Sequence, residues 1–516
     1  MTRKIISGAA SSLIFIASTI VTAMIQLHYV VRFLPKELAG VWILFLTVGA
    51  YVAFFDLGIS PTLGREIAFA RGNREIDEAT RRNRIADILA SCGYLYRWIA
   101  AGAAILCIGC GNLYILHVFP DPKARVVALA WTIFSIGAAF NLLGSTAFAG
   151  LFGFGDIAVE KLLRSASLWM GLILTVILLY AGFGIVGPAI GWALQGLLAR
   201  VIARRVLQKR YLGPDYPAGV VRTEVLRQIA GPSLKLATIQ LGAILILQSA
   251  NPLIAIVIGA ASIPLYEPIA RIAAATMTLA LLVVSASSPF ISSAFAAKDM
   301  PTVQKLLFRN LRYGMAITVV ACTVLGITCS KIVEAWLGRG FYAGSAVAWI
   351  LLIMVSLEVH HVIFATIMMA SGQIVFVKPA LIAAAINLIL AVILAQKFGL
   401  LGVAMAVLIA QLFTNNWYAP YRTIQYLGVS WTEILKKVWV PVLILTAWQL
   451  AVLSVIVTLL GNSLAALPWL LIVLPAGVIS GAVAASMLLM EANERRTLWE
   501  MLRDLRGTQK RFLAAQ

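Results

Sequence analysis

Several ionisable residues sit inside or at the ends of long apolar stretches of the sequence, where a charge is costly unless it faces a wet space or a partner. Arg271 lies about seven residues into one such stretch. Its planar fork suits bidentate contact with a phosphate; the competing role is an i,i+4 ion pair with Glu267. Glu358 falls near the middle of the apolar run 343–370, with His360 two residues on and His361 nearly one turn on. A carboxyl group at that depth can load and release a proton, or serve as a hydrogen-bonded structural group. Lys235 and Arg97 stand near the ends of apolar runs, where snorkelling to the interface competes with ligand contact. Asp56 lies at the inner end of a run and reads as structural.

Uncharged polar residues form two stripes. Ser11, Ser18, Thr22, Gln26 and Tyr29 recur at spacings of 7, 4, 4 and 3. Ser233, Gln240, Gln248 and Asn251 recur at 7, 8 and 3. Both spacings place the residues on one helical face. Such a face lines a polar cavity or bonds helix to helix. The larger side chains, Gln26, Gln240, Gln248 and Asn251, are the candidates for a cavity lining. Pro252 after Asn251 is expected to bend its helix.

The elements that must hold these residues are membrane helices. The chain is 61% hydrophobic and 12% charged, with a mean hydropathy of +0.94. Soluble domains carry about 25% charged residues, and a helix needs roughly 20 apolar residues to cross ~30 Å of hydrocarbon. Fourteen helices are expected, over about 7–31, 39–58, 94–116, 126–150, 165–184, 186–206, 229–257, 264–292, 310–332, 343–370, 376–396, 399–421, 438–460 and 467–490. The first apolar run is longer than the h-region of a signal peptide and no small-residue cleavage site follows, so it reads as a retained helix. The segments 59–93 and 491–516 read as amphipathic stretches on an anionic membrane surface.

Of the 41 Lys and Arg residues, 31 fall on one side of this arrangement and 7 on the other. That bias predicts both termini in the cytoplasm. The net charge of +20 is spread over many helix ends rather than gathered with aromatics on one face, so topology explains it better than nucleic acid does. Five cysteines occur, and Cys107 and Cys110 form a single C-x-x-C within an apolar run. With no second pair and no polar surroundings they read as packing residues. No nucleophile–histidine–acid set, Walker loop or metal-ligand cluster is visible, and the short loops leave no room for a catalytic domain. The expectation is a non-enzyme without a cofactor.

A weak internal repeat is present. Ser60-Pro61, Ala70-Arg71-Gly72 and Arg82-Asn83 parallel Ser288-Pro289, Ala297-Lys298-Asp299 and Arg309-Asn310, about 227 residues on. Six helices separate the copies, and an even number keeps them in the same orientation. The predicted architecture is an all-α polytopic membrane protein: an N-lobe over 1–210, a C-lobe over 211–430 related to it by a parallel repeat, two further helices over 431–490, and a cytoplasmic amphipathic tail over 491–516.

Within this frame, Leu34-Pro-Lys-Glu-Leu-Ala-Gly-Val-Trp42, Phe55-Asp56-Leu57-Gly58-Ile59 and Arg65-Glu66-Ile67-Ala68 carry a resemblance in the first half. Ile258-Gly259, Leu265-Tyr266, Ile269-Ala270-Arg271-Ile272, Ser288-Pro289 and Gly399-Leu-Leu-Gly-Val-Ala404 carry it in the second. The chain resembles the polysaccharide-biosynthesis (O-antigen-type) flippases of the multidrug, oligosaccharidyl-lipid and polysaccharide exporter superfamily. Pro264 stands where those proteins usually have glycine. The resemblance implies a bacterial inner-membrane protein that moves an undecaprenyl-diphosphate-linked oligosaccharide outward by alternating access, for surface polysaccharides such as lipopolysaccharide or exopolysaccharide. Its partners would be that lipid-linked substrate, membrane lipids and a polysaccharide polymerase or other assembly proteins.

A flippase must hide a diphosphate and sugar hydroxyls from lipid. Arg271 and Lys235 are then the expected diphosphate contacts, the four amides the sugar-facing lining, and Glu358 with His361 the coupling candidates. A cation-coupled multidrug antiporter of the same superfamily is the competing expectation, since Glu358 also meets its need for an intramembrane acid. A membrane glycosyltransferase or polysaccharide polymerase would need large outward loops that the sequence lacks.

Overall fold

The computed structural model describes residues 2–73, 75, 77–118, 123–373, 376–461, 464–496 and 500. Within helices, the side chains of 2–6, 118, 232, 235, 236, 238–240 and 243 lie outside the described set. No strand occurs among the described residues.

The helices are α1 (Thr2–Phe33), α2 (Lys36–Phe54), α3 (Ile59–Gly72), α4 (Glu78–Val118), α5 (Lys123–Gly153), α6 (Ile157–Tyr180), α7 (Val186–Leu207), α8 (Thr223–Leu247) and α9 (Ala250–Val257). After these come α10 (Ile263–Ala296), α11 (Met300–Leu337), α12 (Ser345–Ala370), α13 (Val377–Phe398), α14 (Leu400–Phe413), α15 (Asn415–Leu427), α16 (Trp431–Ile434), α17 (Val440–Leu460) and α18 (Ala466–Leu489). Thirteen spans among the described residues are long and apolar enough to cross a membrane, some of them joining two of these elements. The protein is therefore an all-helical, multi-pass membrane protein. The helix α8, several of whose side chains are outside the described set, is not counted in the thirteen.

The contacts divide the chain into two compact units, Met1–Pro264 and Leu265–Gln516. In the first, α5 packs along α4 and α7, and α6 packs along α1 and α7. Its core is apolar and largely aliphatic between α3, α4, α5 and α7, around Leu63, Ile67, Ile88 and Leu151, with Tyr96 packed among them. An aromatic stack of Trp42, Phe45, Trp131, Phe134 and Trp192 fills the space between α2, α5 and α7. In the second unit α11 is central, packing against α12, α17 and α18. Val324, Leu453, Trp469 and Val473 form the seam with the last two helices.

The structure departs from the sequence expectation in three places. The segment 59–93 is not a surface stretch throughout. Its first part is α3, which buries Ile59, Leu63, Ile67 and Ala70, and packs on α5. Its second part is the start of α4, since nothing between Glu78 and Tyr94 breaks the helix and the span simply extends backward. The α2–α3 turn is tight, with Leu57 and Gly58 both at positive φ (49° and 72°). Asp56 secures it by accepting from Ser60 Oγ at 2.7 Å and from the Tyr96 hydroxyl.

The second departure is in the run 229–257, which is two helices rather than one. The break falls at Gln248 and Ser249, between α8 and α9. Pro252 lacks an N–H and its ring would crowd the carbonyl four residues back, which is that of Gln248. The third departure is in the run 399–421, which breaks at Thr414 (φ −131°, ψ −83°), between α14 and α15. Of the tail 491–516, residues 497–499 and 501–516 lie outside the described residues.

Candidate functional site

Helix α2 carries the α8–α9 break along one of its faces. The Tyr51 hydroxyl donates to the Gln248 backbone oxygen at 2.7 Å, the very carbonyl that Pro252 leaves without a helical partner. One turn back, Thr47 Oγ1 accepts from Asn251 Nδ2 at 3.0 Å. At the far end of the same face α2 meets the turn at 260–262, where a Cβ on Gly40 would collide with the Ala260 carbonyl oxygen. Glycine is required there for close approach. Positions 40, 47 and 51 thus hold both sides of a broken helix in place. Gln248 and Asn251, expected as lining residues, flank that break, and Gln248 is half-buried.

The α1 stripe divides by size. Ser11, Ser18 and Thr22 are buried on the side where α1 packs against α6. Thr22 Oγ1 bonds back to the Ser18 carbonyl at 2.6 Å, and Trp169 Nε1 donates to Ser18 Oγ at 3.2 Å. These small hydroxyls bond helix to helix and to their own turn. Tyr29 packs edge-on to Tyr180. Gln26 is half-buried on the same helix. Lys235 and Gln240 belong to α8, and their side chains lie outside the described residues.

In the second unit, Arg271 Nε bonds Glu267 Oε1 at 2.7 Å, with both side chains largely buried. The i,i+4 pair therefore forms, holding the guanidinium along α10.

Glu358 and His361 are joined through the α14–α15 break. Gln411 Nε2 donates to Glu358 Oε2 at 2.9 Å. Asn415 Nδ2 lies 3.4 Å from Gln411 Oε1, and His361 Nδ1 lies 2.8 Å from the Asn415 backbone oxygen. A carbonyl only accepts, so His361 carries its proton on Nδ1. Two carbonyls at the end of α14 are covered locally: Ala410 by the Thr414 hydroxyl at 2.7 Å, and Phe413 by Trp417 Nε1 at 3.2 Å. Asn416 is buried, and neither atom of its amide has a hydrogen-bond partner among the described residues. Buried amides in this state mark places where a water or polar ligand completes the set. His360 is different. It is buried against Phe364 and Trp439 and packs as an aromatic.

Cys107 and Cys110 are free thiols lining an apolar cavity of about 590 Å³ in the first unit, with Phe45, Trp131 and Ala255 among its walls. No group of metal-ligating side chains occurs among the described residues.

Thr47, Tyr51, Gln411, Asn415 and Asn416 were not singled out from the sequence. The last three were findable, because a cluster of amides in an otherwise apolar span is itself unusual.

No protein-family model matches the chain, and no curated protein sequence matches it. Solved structures do. The lipid II flippase MurJ in an inward closed conformation is 15% identical with a TM-score of 0.64, over 92% of this chain and 98% of that one. An inward-facing multidrug resistance MATE family transporter of the MOP superfamily is 13% identical with a TM-score of 0.59, over 80% of this chain and 95% of that one. A MOP superfamily transporter from Pyrococcus furiosus, described as having a binding pocket of reverse polarity that suggests a different function, is 13% identical with a TM-score of 0.57, over 83% of this chain and 96% of that one. At such identities the likeness establishes the fold. It is the fold of MOP-superfamily transporters.

Proposed function

We propose that the protein is a flippase for a lipid-linked, diphosphate-bearing oligosaccharide, undecaprenyl-linked, of the bacterial inner membrane. It would work by alternating access with both termini in the cytoplasm and serve surface polysaccharide synthesis. The observation that carries this reading is the extent of the structural likeness. The match to the lipid II flippase takes in 92% of this chain and the match to the multidrug transporter 80%.

In this reading Arg271, paired along its helix with Glu267, makes a charge-assisted contact with a phosphate oxygen, for which a guanidinium is suited. Lys235 meets the diphosphate on entry. Gln26, Gln240, Gln248 and Asn251 hydrogen-bond sugar hydroxyls. Glu358, with Gln411 and His361, carries the proton that couples the cycle.

A second reading, a cation-coupled multidrug antiporter, is favoured by the same Glu358–Gln411 pair, because a half-buried acidic group suits a cationic cargo as well as a proton. A gene deletion complemented with wild type, Arg271→Ala or Glu358→Gln separates the two. Under the flippase reading the deletion accumulates prenyl-diphosphate-linked oligosaccharide and loses surface polymer, and Arg271→Ala fails to restore it. Normal polymer with altered resistance to cationic drugs overturns that reading in favour of the antiporter.

A further inference from the structure

The first unit contains a second cavity, a polar one of about 710 Å³, between α4, α5 and α7. Arg97, Arg200 and Arg204 line it, together with Thr146, Gln208 and Tyr216, and no carboxylate is among its lining residues. Arg200 lies within the electrostatic reach of both other arginines. Among the described residues none of the three forms an ion pair, and Arg97 bonds only the Gly93 carbonyl of its own helix, at 3.3 Å. A neighbouring pocket shows the contrast: its Arg81 is paired with Glu78, and its Arg71 donates to the Phe154 carbonyl. Three like charges left together around one concavity repel one another unless an anion joins them.

The outer wall is built rather than incidental. The connector from α7 to α8 is laid across α4, where a Cβ on Gly219 would collide with the Ala86 carbonyl. Val220 N donates to Asp87 Oδ1 at 2.8 Å, Arg222 N donates to Ser91 Oγ at 2.9 Å, and the Arg222 side chain pairs with Asp87. The depth of the cavity is marked by Tyr94 and Trp98 on α4, which are 41% and 64% exposed and bracket Arg97. Amphipathic aromatics at exposed positions on a span belong at head-group level.

The geometry points to a binding site for an anionic phospholipid head group, one carrying two phosphates, held by Arg97, Arg200 and Arg204 at the membrane interface. Three guanidinium groups far exceed the single charge of a phosphodiester and come closer to the two charges of a two-phosphate head group. Bidentate forks suit such oxygens. The site holds a resident lipid, and none of its lining residues is among those proposed for transport.

The test uses the full-length protein in nanodiscs of phosphatidylcholine with a minor fraction of cardiolipin, with the co-purifying lipid counted by native mass spectrometry, so no transport is measured. Wild type is expected to enrich cardiolipin over phosphatidylcholine on the order of tenfold or more, given the attraction that each interfacial arginine adds. The triple variant R97Q/R200Q/R204Q is expected to return to the bulk ratio. Should the triple variant fail to fold, R204Q alone, at an exposed position, is expected to lower the enrichment several-fold. Enrichment unchanged by these variants overturns the proposal. So does displacement of the lipid by millimolar inorganic pyrophosphate, which assigns the arginines to a soluble phosphate, or by a prenyl diphosphate, which assigns them to the cargo route.

Discussion

The hydroxyl of Tyr51 donates to the backbone oxygen of Gln248 at 2.7 Å, and Pro252 is the reason that oxygen is free to accept. A side chain on α2 thus replaces the hydrogen bond that a proline removed from the following turn. The pairing makes the two positions energetically dependent on each other.

Tyr51→Phe should therefore destabilise the first unit by about 1–2 kcal/mol, the cost of leaving a part-buried carbonyl without its donor. Pro252→Ala returns an N–H to that carbonyl, so the double variant should lose less than the sum of the two single losses. Thermal unfolding in detergent, run as a double-mutant cycle, measures the coupling. Strict additivity would show that the hydroxyl does not serve the break.

Gly40 is the tightest point on the same face. A Cβ there strikes the Ala260 carbonyl oxygen, and backbone cannot turn aside as a long side chain can. Gly40→Ala should cost about 1–3 kcal/mol, the range for overpacked positions. Alanine at Gly72, where a Cβ meets nothing, is the control and should be close to neutral.

For the acid–amide network, Glu358→Gln keeps the shape but removes the exchangeable carboxyl proton. Under the proposed coupling role it should lower transport by tenfold or more, on the order expected when a positioned proton-transfer group is lost. The Gln411→Leu variant leaves the carboxyl without its amide donor at 2.9 Å and should give an intermediate loss. Substrate flipping in liposomes under an imposed pH gradient reads both. Wild-type rates in Glu358→Gln would remove this residue from the cycle.

The turn into α11 should show acid sensitivity. Asp299 caps that helix, its carboxylate accepting from the Thr302 hydroxyl at 2.6 Å and the Thr302 N–H at 3.1 Å, and these bonds hold its pKa below the ordinary 3.8. A carboxyl depressed in the folded state adds stability that is present above the unfolded pKa and lost as pH falls through the folded value. First-turn amides of α11 should therefore stay protected at pH 5 and exchange faster only below about 3.8. Asp299→Asn should flatten that profile in hydrogen-exchange measurements.

How much of this was legible in the sequence depends on what each pattern measures. Apolar length located nearly every span, because crossing a bilayer demands it. It was blind to the breaks at Gln248 and Thr414, since a broken helix and a whole one have the same hydropathy. Pro252 did signal the first break. The second carries no comparable residue just after it. The stripe on α1 reads correctly as one face, yet spacing alone does not separate Ser18, which bonds to Trp169, from Gln26. Pairing partners from distant sequence, such as Gln411 for Glu358, become visible only once helices are placed side by side.

The strap over α4 has a practical consequence for anyone who handles the molecule. The connector 213–222 is rich in glycine and proline and looks like a slack linker where a tag or reporter might be spliced. It is laced to α4 at Asp87 and Ser91 and has no clearance at Gly219. Inserted sequence there would pry the lacing apart, so this connector is a poor splice point for a tag or reporter.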